Sequence, residues 1–402
     1  MNGSFIAVAS DFITQTKIND IIRINAEFLK ELKCTQISSS AIQEIEQLYY
    51  FVITGGTERQ ILDLHAKRNA AFHDEDIVLL THASHNSLPA ALEVLARFQQ
   101  DGKQGRIIYL PETAEDIKPN PIPAIQKFED KQTLSGKKIG LIGPPSDWLV
   151  ASTPKHELVK KAFGVEIVQI DLEEVKHLYK KIEIEQVKDI SEELTGNSQE
   201  IREPSSKEIE DNVRVYLTIK KLISKYKLDA LTIRCFDLVL DMKTTGCFAL
   251  SHLNDERIIA GCEGDLVSTT GMMWALHKYG RIPWMANPSQ VNLKENSLIL
   301  AHCTVPCSLV KSYRLRSHFE SGLGVGIQGE FPLKDVRIFR LGGKNLDLIW
   351  QAKGKILQNH HAENLCRTQI KVKLDDEYSV QDLLTNPLGN HLVTLMNEEY
   401  RN

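Results

Sequence analysis

Short apolar runs alternate with amphipathic stretches along the first third of the chain. Residues 5–9 (FIAVA), 49–54 (YYFVIT), 77–81 (IVLLT) and 106–110 (RIIYL) read as strands. Between them, 18–32 has helical spacing, Gly55-Gly56-Thr57-Glu58 turns the second strand into a helix, and Ser87 with Pro89 opens another (SLPAALEVLARF). Strands alternating with helices predict βαβ units and a parallel sheet. The polar, Pro-containing stretch 111–135 predicts a domain boundary. A second alternation follows it: a strand over 138–142 ending in Gly143-Pro144-Pro145, another over 165–170, and a charged helical region over 172–227 with a loop near 195–206. Then come strands over 228–236 (LDALTIRCF) and 258–262 (IIAGC), with helices over 244–254 and 266–278. After Arg281 the pattern changes to short strands at 282–286, 297–301, 335–341, 346–351, 368–373 and 391–395, separated by Gly, Asn and Pro. That run predicts an antiparallel C-terminal domain, sandwich or barrel. The division expected is 1–130, 131–285 and 286–402.

Composition narrows the function classes. The 402 residues carry a net charge of −5, with 42% hydrophobic and 25% charged residues. This is the balance of an ordinary soluble protein and gives no electrostatic footprint for nucleic acid. No apolar run reaches 18 residues and the N-terminus lacks a basic region and cleavage site, so neither a membrane span nor a signal peptide is expected. Seven scattered cysteines, an odd number, fit free thiols in a reducing compartment, and the cytoplasm is the expected location.

Four segments place acids, His and Cys at strand ends, where α/β sheets bind ligands: Arg234-Cys235-Phe236-Asp237 with Asp241 following, Cys262-Glu263-Gly264-Asp265, Ala301-His302-Cys303-Thr304, and Gly389-Asn390-His391. Glu263 and Asp265 are two apart, so on an extended segment both point to one side. Two carboxylates there call for a cation or a shared proton. Oxygen ligands select Mg²⁺ or Mn²⁺, and added imidazole favours Mn²⁺. The plainer alternative is that Asp265 caps the following helix and Glu263 is a solvated loop residue. His302 after an apolar strand, and His391 in a turn, each also read as ordinary structural histidines. His302 and Cys303 point to opposite faces of a strand, so they do not form a nucleophilic pair.

Other features are weaker. Gly55-Gly56-Thr57 matches neither dinucleotide nor P-loop spacing, and Gly143-Pro144-Pro145 argues against a nicotinamide site. His82, His85 and Asn86 stand before a helix, where they face a sugar or cap the turn. The segment 322–329 (GLGVGIQG) reads as a tight loop or bulge.

Taken in order, CEGD at 262–265, AHCT at 301–304, HFESGLGVGIQGEF at 318–331, CRTQI at 366–370 and NPLGNH at 386–391 resemble the L-fucose isomerase and L-arabinose isomerase superfamily, nearest its shorter fucose-isomerase-like members. The resemblance extends from about residue 228 to the end, with THASHNSLPAALE at 81–93 in support. It implies two Rossmann-like parallel-sheet domains followed by an antiparallel β-barrel-like domain. It also implies an aldose–ketose isomerase that uses Mn²⁺ or another divalent cation and a cis-enediol on a fucose- or arabinose-like sugar. Asp265 resembles the family's metal-binding aspartate and His391 its histidine, with Glu263 a further candidate ligand. Asp241 or Asp237 would supply the preceding acid, and His302 would join the proton transfers. Cys235, His85, Asn86 and Asn390 would contact substrate. A homo-oligomer, trimer or hexamer, with His85 and Asn86 closing another subunit's site, is part of the same implication. Two alternatives remain: a non-catalytic sugar-binding protein on this scaffold, and a Cys-dependent epimerase using Cys235 or Cys303.

Overall fold

A computed structural model describes residues 3–110, 125–130 and 132–397. The first sheet is wholly parallel, with strands β1 (Ser4–Val8), β2 (Thr35–Gln36), β3 (Leu48–Val52), β4 (Ile77–Thr81) and β5 (Gly105–Tyr109) in the order β2-β1-β3-β4-β5. β3 is buried at every position, because helices cover both faces of a parallel sheet. Most of the expected linker lies outside the described residues, but its end forms β6 (Ile125–Lys127).

The second sheet is also parallel. β7 (Lys138–Ile142), β8 (Glu166–Ile170), β10 (Ala230–Ile233) and β11 (Ile259–Cys262) lie in the order β11-β10-β7-β8. The intervening β9 (Glu200–Ile201) belongs elsewhere. The apolar run 228–236 divides between β10 and the first turn of a helix, Cys235–Met242. Periodicity cannot separate a buried strand from the start of a buried helix in so short a run.

β12 (Trp284–Asn292), β13 (Ser297–His302), β16 (Asp335–Gly342), β17 (Leu348–Asn359), β18 (Thr368–Leu374) and β19 (Leu392–Met396) form an antiparallel sheet that β16–β17 pairing closes into a six-stranded barrel. Closure removes the free edges that would invite aggregation. β6 adds to the outside of β17, so residues 125–127 belong to the barrel's sheet. The glycine-rich segment expected to be a loop contributes β15 (Gly326–Glu330), which pairs with β14 (Ser312–Arg316) and through it with β9. The mixed α/β class with two parallel sheets and a C-terminal antiparallel barrel agrees with the sequence reading. No described helix is long and apolar enough to cross a membrane.

The helix Ser87–Gln100 holds the first sheet to the rest of the chain. It packs on β4 and β5 and also on β12. Its Glu93, fully buried, accepts from the Ala151 and Ser152 amides (2.7 and 2.8 Å), the Ser152 hydroxyl (2.7 Å) and the Asn390 amide (3.0 Å). One carboxylate thus joins all three parts of the fold. Glu93→Ala leaves those four donors buried without an acceptor, at about 1–3 kcal/mol each. The melting temperature of the full chain, read by differential scanning fluorimetry, is expected to fall by several degrees, while Glu93→Gln, which keeps one acceptor, falls by less.

Candidate active site

Three of the four chemistry-bearing segments converge at the carboxyl ends of the second sheet and the rim of the barrel. Cys262-Glu263-Gly264-Asp265 joins β11 to the helix Leu266–Tyr279. It is not extended: Glu263 and Gly264 both adopt left-handed conformations, with φ +62° and +77°. A left-handed non-glycine residue costs of order 1–3 kcal/mol, and such strain concentrates at functional positions. The turn sends the two carboxylates to different tasks, where an extended segment would have aimed both one way.

Asp265 is fully buried and caps the helix, Oδ1 accepting from the Ser268 amide at 2.7 Å. Its Oδ2 accepts from the Ser268 hydroxyl (2.7 Å) and from Arg340 (3.0 Å), and faces His391 Nδ1 at 2.9 Å. Asp265 was expected among metal ligands, yet both its oxygens are taken up in orienting other groups. Arg340, on β16, also donates to the Ser268 and Ser152 hydroxyls and the His391 carbonyl.

Glu263 instead faces the two histidines. Its Oε2 accepts from the Trp148 indole at 2.6 Å, and its Oε1 lies 3.6 Å from His391 Nε2. Ligand atoms of Glu263, His302 and His391 all lie within 4.8 Å of one another. His302 ends β13, and Thr304 Oγ1 meets its Nδ1 at 2.9 Å, which leaves Nε2 for the cluster. His391 Nε2 is buried without a hydrogen-bond partner among the described residues.

Burial and the nearby charge of His391 lower His302 to about 3, so its imidazole is neutral. Burial also acts to lower His391, but the carboxylates of Glu263 and Asp265 outweigh it and raise the group to about 9. Burial raises Glu263, yet His391 and the Trp148 hydrogen bond pull it below the ordinary carboxylate range. Two imidazoles and a carboxylate, one imidazole braced by a buried aspartate, form a donor set suited to a divalent cation.

Glu263 also lines a cleft of about 340 Å³ between the first sheet and the rest of the chain. Thr54, Gly55, Gly56, Glu58, His85 and Asn86 form one side, and Trp148, Phe236, Asn287, Phe319, Glu320 and Asn390 the other. Gly55 lets the loop approach closely, because a Cβ there would lie 2.9 Å from the Asn86 Cβ. Four side-chain oxygens on this cleft are buried without partners among the described residues: Glu58 Oε2, Asn86 Oδ1, Asn287 Oδ1 and Asn390 Oδ1. Buried polar atoms are normally satisfied, so these oxygens mark places for hydrogen-bond donors from water or a ligand. Trp148 meets Phe236 edge-on (centroids 5.2 Å apart), which gives the cleft an apolar wall beside its polar atoms.

Several other expected site residues lie outside the cleft lining. Asp241 is on the outer surface, paired with Lys176 at 2.6 Å. Asp237 pairs with Arg234 at 3.0 Å, one turn along its own helix. Neither is among the residues lining the cleft. Cys235 is buried with its sulfur 3.3 Å from that of Cys262, and Cys303 packs among Cys247, Leu365 and Cys366. Both also lie outside the cleft lining. His85 and Asn86, expected to reach another subunit, line this chain's own cleft, where Asn86 donates to Glu320 at 2.8 Å. Glu58, Trp148, Asn287, Glu320 and Arg340 were not anticipated. Arg340 had at most a faint signal, a charge between Phe339 and Leu341 in β16, because the same strand also carries Asp335 and Arg337.

No known family model matches the chain. It is similar to sulfoquinovose isomerases: 27% identical over 177 residues to those of Priestia aryabhattai and Priestia megaterium (43% of this chain, 39% of each relative), and 26% over 219 residues to that of Alkalicoccus urumqiensis (51% and 47%). The chain therefore spans less than half the length of the curated relatives it matches. Among solved structures, D-threo-3-hydroxyaspartate dehydratase from Delftia sp. HT23 aligns at a TM-score of 0.15 and 8% identity, too low to carry an argument.

The Asp265–His391 contact has a direct readout. In chelator-treated protein, imidazole NMR is expected to show His391 titrating near 9. Because that pKa is raised, the stability it contributes is complete below about 6.5 and is lost as pH rises through 9. Asp265→Asn is expected to lower the midpoint by about 1–3 pH units, since one of two adjacent anions is removed.

Proposed function

We propose that the chain is an aldose–ketose isomerase that binds a small sugar in the cleft and a divalent cation, Mn²⁺ or a similar ion, at Glu263, His302 and His391. The observation that carries the reading is the juxtaposition of this carboxylate–imidazole cluster with four unpaired buried oxygens in one cleft. The similarity to sulfoquinovose isomerases and the ordered fucose- and arabinose-isomerase motifs support it.

A bound divalent cation polarises a carbonyl and acidifies the neighbouring hydroxyl, as moving a proton between C1 and C2 requires. The chain's own groups prepare the site for this. Asp265 accepts a hydrogen bond from the Nδ1–H of His391, so the ring would turn Nε2 to a cation once the Nε2 proton is displaced. Trp148 fixes one oxygen of Glu263 and leaves the other facing the histidines. Asn86, Asn287 and Asn390 offer carbonyl oxygens to sugar hydroxyls, and the Trp148–Phe236 wall covers a C–H face and excludes water. Glu58, Glu263 and Glu320 line the cleft and no Lys or Arg is among its described lining residues, so it offers an anionic group no cationic side-chain partner. An uncharged aldose therefore suits it better than the sulfonated sugar named for its relatives.

Cysteine chemistry is the less favoured reading, because Cys235 and Cys303 are buried away from the cleft lining. Mn²⁺ is expected to raise the melting temperature, and His391→Asn or His302→Ala to abolish that shift. EDTA is expected to stop turnover of an aldose panel containing fucose, arabinose, deoxy, acidic and sulfonated members, with an uncharged aldose preferred. No Mn²⁺ shift, or activity that survives chelation but not iodoacetamide, would overturn the reading.

The panel also yields a substrate prediction. Replacing Asn390 by Ala removes one unpaired acceptor without touching the cluster, so KM for the preferred aldose is expected to rise about tenfold, the effect of roughly 1.4 kcal/mol, with the Mn²⁺ shift retained.

A further inference from the structure

Isomerisation needs a group that removes a proton from one carbon and returns it to the next. Of the three carboxylates lining the cleft, two have other engagements. Glu263 is held by Trp148 and faces His391, and Glu320 accepts from Asn86. The third, Glu58, lies on the side formed by the first sheet, as the opening residue of the helix Glu58–Arg68. It is 2% exposed, and its Oε2 has no hydrogen-bond partner among the described residues. A carboxylate oxygen so placed in a ligand cleft costs stability unless it serves a ligand.

We propose that Glu58 is the acid–base residue that carries the carbon-bound proton between C2 and C1, an assignment that rests on the isomerase reading above. In the forward direction the Glu58 carboxylate takes the C2 proton. The C2–H pair becomes the C1=C2 bond of the enediol, the carbonyl π pair moves to O1, and O1 gains a proton. O2 then loses its proton, its pair forms the C2=O bond, and the C1=C2 pair takes the proton back from Glu58 at C1. One proton leaves carbon and one returns, and O1 gains what O2 loses, so aldose and ketose balance with no other reactant. The Gly55-Gly56-Thr57 turn that sets Glu58 at the cleft is explained by this role, where the sequence matched neither dinucleotide nor P-loop spacing.

The electrostatic setting suits the task. Burial, and after it the acids Glu93, Glu263 and Glu320, push the Glu58 carboxyl well above 4.5, against a lowering hydrogen bond from its own amide. A carboxylate raised in this way is a stronger base toward a carbon-bound proton than an ordinary one.

The test uses the full chain with Mn²⁺ and the aldose that the wild-type protein converts. Glu58→Gln is isosteric and removes a buried charge. The expected result is a kcat about 10²–10⁴-fold lower, loss of solvent-deuterium incorporation at C1 of the ketose, and loss of the acid limb of the pH–kcat profile, with the Mn²⁺ thermal shift intact. A merely structural role would not move the exchange or the limb. Glu58→Asp withdraws the carboxylate by one methylene; it is expected to lower kcat while keeping the limb, and it carries the test should Glu58→Gln fail to fold. A Glu58→Gln kcat within about threefold of wild type with an unchanged profile, or an unchanged kcat for Glu58→Asp, overturns the assignment. A wild-type chain that converts no aldose overturns the isomerase reading itself, and the assignment with it.

Discussion

The buried pair of Arg340 and Asp265 is the interaction on which the site depends. The two side chains are 1% and 0% exposed, and an isolated ion pair at such depth is more often a liability than a gain. It persists because its polar groups are engaged on every side. Arg340 reaches Asp265, two serine hydroxyls and the His391 carbonyl, and Asp265 takes the helix amide, a hydroxyl, the guanidinium and the imidazole. Ser152, which accepts from Arg340, donates in turn to Glu93. The network thus runs from the barrel through the second sheet to the first, with His391 at its centre. Even the backbone conforms to it: at Gly389, with φ +148°, a Cβ would sit 2.5 Å from the Arg340 guanidinium.

How far the sequence disclosed this follows the range of each signal. Alternating strands and helices, and the later change to short antiparallel strands, are local patterns, and both appear in the structure. Where a signal was ambiguous over a few residues, as in 228–236 or the glycine-rich 322–329, the element boundaries moved. The clustering of Glu263, His302 and His391 was legible only as separate segments. The exchange of roles between Glu263 and Asp265 was not, because it depends on two successive left-handed residues that no spacing rule anticipates. Glu58 and Trp148 were hidden for a different reason. Each is distant in sequence from the acids it joins, and neither stands in a recognisable motif.

The two histidines show how one cluster holds imidazoles in opposite states. His302 has a hydroxyl behind it and is lowered to about 3, while His391 has a carboxylate behind it and is raised to about 9. Their rings lie 5.5 Å apart, close enough that the charge on one disfavours charge on the other. Both rings are buried, so the difference lies in the charges beside them: Glu263 and, behind Nδ1, Asp265 raise His391, while the charge of His391 adds to burial in lowering His302.

The strand order of the barrel carries a consequence for folding. β19 is the last strand in the chain, yet it lies between β16 and β12, and His391 immediately precedes it. The barrel cannot close until that strand inserts, and its pairing partners are far back in the chain (Trp284 pairs with Thr394, Val336 with Met396), so the entropy of loop closure opposes the step. His391 meets Glu263 only when β19 is in place, so a chain in which that strand is unplaced has no assembled ion-binding cluster. Any ligand that draws the three side chains together favours the closed barrel by mass action, and its concentration becomes a determinant of how much native protein persists.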